Sequence, residues 1–359
     1  MATMTFMARV RQGGLTDNIS RWWRHQPRWF KYLAAVFTFG VAVLLPYIPD
    51  VPVLSTIFDT PGSDFASVLF YPVACYVMVA IGLNIVVGQA GLLDLGYVAF
   101  FAIGAYTSAV LGSGHGSWPW LLTVPAGIAV AMTAGVLLGL PTLRLRGDYL
   151  AIVTLGFGEV LRLFLLNEAW LTRGANGVTG IPRPLHAQLS SSHYPFFYLC
   201  LVLAAVVVVY AALERVRRSP FGRVLRTIRE DEIVAAVAGK PVFRFKVQAF
   251  AIGAGVAGLA GVLFAHYLAY IEPNMFLPQE SLYVWLALIL GGSGNNLGAL
   301  LGSLVLLGLL EGSRFAKDVI PFLTGVRLAA AQQILVGVVL VAMIIRRPEG
   351  LLPEKPGSD

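Results

Sequence analysis

Few residues in this 359-residue sequence have the types and the spacing that catalysis or metal binding requires. The five histidines are scattered and form no HExxH pattern, and neither a GxSxG motif nor a GxxxxGK[ST] phosphate-binding loop occurs. Cys75 and Cys200 lie far apart in apolar runs, which indicates neither a disulfide framework nor a zinc site. We therefore expect no catalytic residue, no metal ion and no cofactor in this chain.

Polar and ionisable residues inside long apolar runs are the remaining candidates, because such residues are costly in a membrane and usually have a function. Asp94 lies in the segment GLLDLG at 91–96. It either holds a helix turn near a transport pathway or gate, or accepts backbone N–H groups at a helix start. Glu159 and Arg162 stand at the spacing of a helical ion pair, with either a structural or a transport role. Asn84 either hydrogen-bonds across helices or faces the pathway.

The composition shows what kind of protein must position these residues. Hydrophobic residues make up 57% of the chain and charged residues 13%, against roughly 25% charged in soluble proteins. The mean hydropathy is +0.75. A soluble chain this apolar could not cover its surface with polar groups, which excludes an ordinary soluble enzyme, a disordered protein and a nucleic-acid-binding domain. We expect an integral membrane protein with no nucleic acid partner.

Continuous apolar runs predict an all-α, polytopic membrane helix bundle with about ten membrane segments. A bilayer core of about 30 Å needs about 20 apolar residues in a helix, and the runs lack the alternation of a β-barrel. The predicted segments are 32–49, 65–87, 90–112, 119–140, 149–166, 195–213, 247–270, 281–292, 297–313 and 328–345. The eighth is short and runs into GGSGNN at 291–296, which indicates a break between two half-spans or a re-entrant turn.

The distribution of basic residues predicts the orientation. Of the 26 Lys and Arg residues, 20 fall on one side of ten crossings and five on the other. Basic residues mark the cytoplasmic side, so we expect both termini to be cytoplasmic. The predicted organisation is a basic segment at 1–31, a membrane domain at 32–347 with a cytoplasmic loop at 214–246, and a cytoplasmic tail at 348–359.

Stripes of small residues predict close helix crossings, because small side chains let membrane helices approach each other. One stripe recurs every four positions at Gly127, Ala131, Gly135 and Gly139. A second follows the same spacing at Gly253, Ala257 and Gly261. Together the stripes indicate a compact bundle.

The loop at 214–246 contains two predicted helices. Residues 214–229 are strongly basic with apolar residues at helical spacing, which suggests a helix on the inner membrane surface whose basic side chains face lipid headgroups. In residues 229–240, three acids open an Ala-rich stretch that Gly239 and Pro241 close. This pattern predicts a short, separately capped helix that either docks against a partner or is simply solvated.

Five segments, in this order, resemble the LivM-type permeases of bacterial ATP-binding cassette (ABC) importers for branched-chain amino acids. They are GLNIVVGQAGLLDLGYVAFFAIGAYTSAVL at 82–111, LRLRGDYLAIVTLGFGEVLRLFLLN at 143–167, GANGVTGIP at 174–182, SPFGRVLRTIREDEIVAAVAG at 219–239 and AFAIGAGVAGLAGVL at 249–263. The resemblance covers most of residues 65–347, and the number and order of the motifs argue against a chance match.

The resemblance implies a multi-pass permease subunit of the bacterial inner membrane. Its implied partners are a second homologous permease, two ATP-binding subunits, a periplasmic substrate-binding protein and membrane lipid. It also implies that 229–240 is a coupling helix that docks on an ATP-binding subunit. Glu232, Ala235, Ala236 and Gly239 then stand at the positions of the EAA pattern, although the spacing is shifted.

Two alternatives remain at this stage. Permeases for urea and short-chain amides, or for aromatic acids, are close relatives, and specificity lies mostly in the binding protein. An ion-coupled secondary transporter is the alternative of a different class, for which Asp94 and the break at 291–296 could serve. However, the two halves of the sequence show no matching break, and the coupling-type helix would have no purpose.

Overall fold

The computed structural model describes residues 71–113, 118–145, 147–186, 188 and 194–314, together with scattered positions between 330 and 354. Contacts divide the chain into two units, Met1–Ser55 and Thr56–Asp359, and every described residue belongs to the second. The predicted basic segment at 1–31 and the first predicted span at 32–49 therefore lie outside the described residues. Only scattered positions of the last predicted span, 328–345, are described.

The described residues are mostly helical. The α-helices are α1 (Tyr71–Leu83), α2 (Val98–Gly112), α3 (Trp120–Thr142), α4 (Gly147–Asn167), α5 (Ala169–Thr172), α6 (Tyr194–Arg218), α7 (Pro220–Glu230), α8 (Glu232–Val237), α9 (Val242–Leu268), α10 (Pro278–Gly291) and α11 (Asn296–Arg314). A π-helix, Asn84–Gln89, continues α1, and short strands β1 (Val178–Thr179) and β2 (Tyr270–Ile271) pair antiparallel. Among these helices α3, α4, α6 and α9 are long and apolar enough to cross a membrane, which confirms the predicted helical membrane bundle.

Helix α9 is the centre of the bundle and packs antiparallel against α3, whose predicted stripe of small residues faces it. A Cβ added at Gly135 would lie 2.6 Å from Ala254 Cβ, and one at Gly258 would lie 2.5 Å from Ala131 Cβ. Gly127 faces Val262 in the same way. Each step of four residues along α3 is matched by a step of four backwards along α9, so the close crossing predicted from the α3 stripe is confirmed. The stripe predicted on α9 faces other neighbours: Gly253 packs against α1 and the π-helix, and Gly261 packs against α2.

The predicted span at 90–112 is wrong in its first third. The π-helix ends at Gln89, residues 91–96 are non-helical, and α2 begins only at Val98. Gly91 has a φ of 69°, which suits glycine, and the Cα of Gly96 lies so close to the backbone of Thr154 that no side chain would fit. An apolar run does not reveal such an interruption, because a buried extended segment is as apolar as a buried helix.

The predicted break at 291–296 is confirmed as the turn of a tight helical hairpin. Gly292 and Gly294 have positive φ values of 105° and 88°, which reverse the chain between α10 and α11. The two helices then touch through backbone at Gly291 and Gly298. With 14 residues α10 is about 21 Å long, which is shorter than a bilayer core.

The apolar face of α7 packs into the bundle, while the contact of its basic side chains with lipid headgroups stays a prediction. Leu225 and Ile228 are buried, and Leu225 belongs to the core of the bundle. Ser219 begins the helix by accepting a hydrogen bond from Gly222 N at 3.4 Å. A strong amphipathic pattern requires an apolar surface to pack against, and it does not distinguish lipid from protein.

Candidate functional site

The interrupted segment at 90–97 is anchored by bonds around Asp94. The Asp94 carboxylate is fully buried, and its Oδ1 accepts a hydrogen bond from Gly96 N at 3.0 Å. Trp285 Nε1, on α10, donates to the Asp94 carbonyl oxygen at 2.7 Å. Asp94 therefore stabilises a tight turn of its own segment by bonding the residue two positions later, and it does not cap the first turn of α2. It stands in a non-helical stretch of the chain packed between neighbouring helices.

Other helices supply the acceptors that this interrupted backbone needs. Leu95 N donates to Thr154 Oγ1, on α4, at 3.1 Å, and Val98 N donates to Ser281 Oγ, on α10, at 3.1 Å. Backbone groups inside a membrane must find partners within the protein, and here side chains replace the missing helical bonds. Sequence reasoning missed Thr154 and Ser281. The feature of the sequence that could have indicated them is a hydroxyl side chain in each of two otherwise apolar runs.

Two buried polar side chains, one just before this segment and one inside it, have unused hydrogen-bonding capacity. Gln89, the last residue of the π-helix, is fully buried, and neither of its amide atoms has a hydrogen-bond partner among the described residues. The same holds for Asp94 Oδ2. An unsatisfied buried polar group costs roughly 1–3 kcal/mol, so these atoms are available to water or to polar groups that pass through. π-helices also occur frequently at functional sites.

Asn84 lies in the π-helix just before the interrupted segment and joins that helix to the hairpin turn at 291–296. Its Nδ2 donates to Asn296 Oδ1 at 2.8 Å, and its Oδ1 accepts from Gly294 N at 2.8 Å. Asn296 Nδ2 donates in turn to Glu214 Oε2 at 3.1 Å, and Glu214 pairs with Arg217 at 2.8 Å. The polar chain thus runs from the buried turn to the basic end of α6. Of the two roles considered for Asn84, the structure shows the hydrogen bonds across helices.

Arg229, at the end of α7, binds the same region from its other side. Its Nη1 donates to the carbonyl oxygen of Gly88, in the π-helix, and its Nη2 lies 2.7 Å from Glu354 Oε2. Gly91 packs directly against the stem of Arg229. One guanidinium therefore contacts both the interrupted span and the C-terminal tail.

The tail lies along the hairpin turn. Leu351 N donates to Leu290 O at 2.9 Å, and Leu352 N donates to Gly291 O at 2.9 Å. These carbonyls belong to the last turn of α10, where a helix has no partners of its own for them. The tail caps α10 and brings Glu354 beside Arg229.

Helix α8 is the predicted short, separately capped helix, which the structure confirms. Asp231 Oδ1 accepts hydrogen bonds from Ile233 N at 2.8 Å and Val234 N at 3.1 Å. Gly239, with a φ of 76°, lies just beyond the C-terminal end. The N-terminal acids and the terminal glycine thus have the local roles that their order in the sequence indicated.

The residues proposed for coupling point in different directions. Ala235 is fully buried, and Glu232 Oε2 forms an ion pair with Lys246 Nζ, on α9, at 2.6 Å. Ala236 is exposed. The largest exposed apolar side chains of α8 were missed by sequence reasoning: Ile233 is 75% exposed, Val234 57% and Val237 84%. Such a surface on so short a helix is typical of a contact with another chain.

A cleft of about 990 Å³ joins α8 to the interrupted segment. Its walls come from residues 90–93, from the turn between α3 and α4, and from residues 228–233, 236 and 237. Arg144, Arg229 and Lys246 line it together with the acids at 230–232. The cleft therefore places the helix with the exposed apolar face next to the interrupted span.

Glu159 and Arg162 form the predicted ion pair on α4. The two Glu159 carboxylate oxygens lie 2.6 Å and 2.9 Å from Arg162 nitrogens, which is a bidentate contact. Arg162 also lies 3.4 Å from Asn274 Oδ1. Asp94 lies near a different part of α4, where its neighbour Leu95 donates its backbone N–H to Thr154 Oγ1, so the ionisable candidates do not converge on one point. Among the described residues, no three His, Cys, Asp or Glu side chains are grouped to hold a metal ion.

The long apolar helices and the interrupted, internally bonded segment between them define a multi-pass helical membrane protein. The model of the family "Branched-chain amino acid transport system / permease component" matches residues 66–344. The chain therefore belongs to this family of permease components, as its motifs had indicated. No solved structure matches it.

Three similar proteins illustrate the relationship. The high-affinity branched-chain amino acid transport system permease protein LivM of Escherichia coli K12 is 38% identical over 301 residues, which cover 77% of this chain and 68% of that protein. A probable LivM of Methanocaldococcus jannaschii is 27% identical, with 76% and 84% covered. The permease protein LivH of Escherichia coli K12 is 28% identical, with 76% and 92% covered.

Proposed function

We propose that this chain is the LivM-like permease subunit of an ATP-driven, binding-protein-dependent importer of branched-chain amino acids. Its partners are a second permease, two ATP-binding subunits and a substrate-binding protein, in a bacterial inner membrane. The observation that carries the proposal is α8, whose exposed apolar face stands beside a cleft that leads to an interrupted span. Relatives named as branched-chain amino acid permeases support the substrate.

The basic end of the bundle is the cytoplasmic end in this proposal, with ten membrane segments and both termini inside. Ala175, near β1, and Glu230, at the end of α7, are both exposed and belong to opposite ends of the predicted topology. Single cysteines at these positions, in a chain with Cys75 and Cys200 replaced by serine, should react with an impermeant maleimide from opposite sides of the membrane. Labelling of both from one side would contradict the orientation.

Helix α8 is the coupling element, and its links to the bundle define how it acts. The Glu232–Lys246 pair ties it to α9, and Arg229, just before it, binds the π-helix at Gly88. A displacement of α8 by an ATP-binding subunit would therefore move both the central helix and the interrupted span. Glu232 thus holds the helix to its own bundle, while Ile233 and Val237 contact the partner.

The interrupted span is the proposed gate region. Transport requires two packings of similar free energy that nucleotide and binding protein stabilise differently. A segment whose backbone is held by individual side chains can exchange partners at less cost than a continuous helix. Asp94 lies in this segment, Asn84 and Gln89 precede it in the π-helix, and Glu159 and Arg162 lie on the neighbouring helix.

Substitutions on α8 test the coupling. In a purified complex reconstituted into liposomes, Ile233→Asp and Val237→Asp should abolish stimulation of ATPase activity by the loaded binding protein. Val237→Ile, which keeps the apolar surface, should preserve it. Both positions are exposed, so the chain should remain folded. Normal stimulation in both aspartate variants would overturn the role of α8.

Recovery of partner subunits tests the composition of the complex, and uptake measurements test the substrate. The tagged chain, solubilised from native membranes, should bring down a second permease and ATP-binding subunits. Recovery of the folded chain alone would favour the ion-coupled transporter instead. The reconstituted complex should take up labelled leucine, isoleucine and valine in preference to urea or an aromatic acid. A preference for urea would correct the substrate and leave the transporter class unchanged.

A further inference from the structure

We propose that the exposed face of α4 is the surface on which the second permease packs, next to the translocation path. This inference rests on the proposed function, since it needs a second permease in the complex. The face consists of residues on one side of the helix: Tyr149, Ile152, Val153, Gly156, Val160 and Leu163. Three observations carry the proposal.

The first observation is the space around Gly156. A Cβ added there would meet no described atom within 4 Å. At Gly135 and Gly258, by contrast, a Cβ would collide with the neighbouring helix. In the central helices α2, α3 and α9, glycines in the middle of the helix mark points where another helix crosses closely. Gly156 is such a glycine in mid-helix, but its crossing helix is absent from the described part of the chain.

The second observation is the shape of the surface around this glycine. Ile152 and Val160 lie one turn on either side of Gly156, and each is 66% exposed. Tyr149 and Leu163 continue the same side of the helix and are exposed as well. Large apolar side chains on both sides of a glycine form a groove that receives a second helix.

The third observation is charge. Glu159 borders this face and keeps 40% of its side chain exposed, although it pairs with Arg162. Counted along the helix, Glu159 lies about 18 Å from the start of α4, well inside the apolar length. A carboxylate facing hydrocarbon is costly. The face is therefore not a lipid surface and needs a polar or proteinaceous neighbour.

The second permease fits this face better than the chain's own first predicted span. Residues 32–49 contain no charged side chain, so they would leave Glu159 against an apolar surface. A permease of the same family, such as one related to LivH, shares the fold, and related subunits meet through equivalent surfaces about a local twofold axis.

The position of α4 places this contact beside the path. Its opposite side contacts the interrupted segment through Thr154 and Gly158. Its beginning, at Gly147 and Leu150, lines the cleft near α8. An interface on the exposed face would thus run along the interrupted span from the cleft into the membrane.

Photo-crosslinking in native membranes tests the proposal. A benzophenone amino acid at Ile152 or Val160 should crosslink to the second permease. The same probe at Val208, an equally exposed position on α6, serves as the matched control and should give none. Crosslinks from α4 to lipid alone or to residues 32–49 of the same chain would overturn the inference, as would equal crosslinking from Val208.

A second variant pair tests the close approach. Gly156→Leu should cause loss of the second permease from pull-downs, while the chain itself stays monodisperse in detergent because it has room for the side chain. Gly156→Ala should retain the partner. If the unmodified chain recovers no second permease, the proposed function fails. If it does, but Gly156→Leu recovers the partner equally well and no crosslink forms, only this inference fails.

Discussion

Asn84 and Asn296 are separated by 212 positions in the sequence, yet Asn84 Nδ2 donates to Asn296 Oδ1 at 2.8 Å, and both side chains are fully buried. The bond ties the π-helix that precedes the interrupted span to the first residue of α11. Since Asn84 also accepts from Gly294, one amide fixes the hairpin turn against the interrupted span. These two irregular parts of the backbone therefore form one structural unit.

Asn84→Ala should lower the melting temperature of the purified protein. The substitution leaves Gly294 N and Asn296 buried without their partner, and such a loss costs about 1–3 kcal/mol. Asn167→Ala is the control, because Asn167 is exposed and, among the described residues, its side chain bonds its own helix at Leu163 O. Equal melting temperatures for the two variants would show that the buried bond contributes nothing to stability.

Gly258→Leu should prevent the close approach of α3 and α9. Even a Cβ at this position would lie 2.5 Å from Ala131 Cβ, and overpacking of a tight contact costs about 1–3 kcal/mol or more. The measurement is the yield of monodisperse protein by fluorescence-detected size exclusion. Val208→Leu, on an exposed surface, should give the normal yield. A normal yield for Gly258→Leu would mean that the crossing is looser than the structure shows.

Asp94→Asn and Asp94→Leu should differ in folded yield. An asparagine Oδ1 can still accept the hydrogen bond from Gly96 N, whereas leucine removes the acceptor and costs roughly 1–3 kcal/mol. We expect normal yield for the first variant and reduced yield for the second. Uptake of substrate per folded complex then tests the charge of Asp94 separately. Lower uptake by Asp94→Asn would support a role in the gate. Unchanged uptake would mean that Asp94 has a structural role alone.

Removal of residues 350–359 should expose the hairpin turn. The truncation deletes the bonds of Leu351 and Leu352 to α10 and the Glu354–Arg229 ion pair. Hydrogen exchange at 291–295 should become faster by about tenfold, the effect of ~1.4 kcal/mol in local opening. Removal of residues 355–359 alone is the control and should leave exchange unchanged. Equal exchange in both truncations would contradict a capping role for the tail.

The local features of the candidate site could be read from the sequence, because they depend on near neighbours. Asp231 and Gly239 delimit α8 through bonds and backbone angles within a few residues. The Glu159–Arg162 pair follows from helical spacing alone. Thr154, Ser281 and Trp285 were missed, because nothing in their own segments shows that they bond a distant interrupted backbone.

The sequence by itself determined the class of protein, the helical bundle, the small-residue crossing and the turn at 291–296. These depend on the apolar length a membrane requires and on where only glycine permits the backbone to turn. Only the tertiary structure decided where the predicted span at 90–112 is interrupted and what the apolar face of α7 packs against. It also placed Asn84, Arg229 and Glu354 around one turn. An apolar run has the same composition whether it is helical or extended, and only neighbouring helices can satisfy an extended backbone inside a membrane.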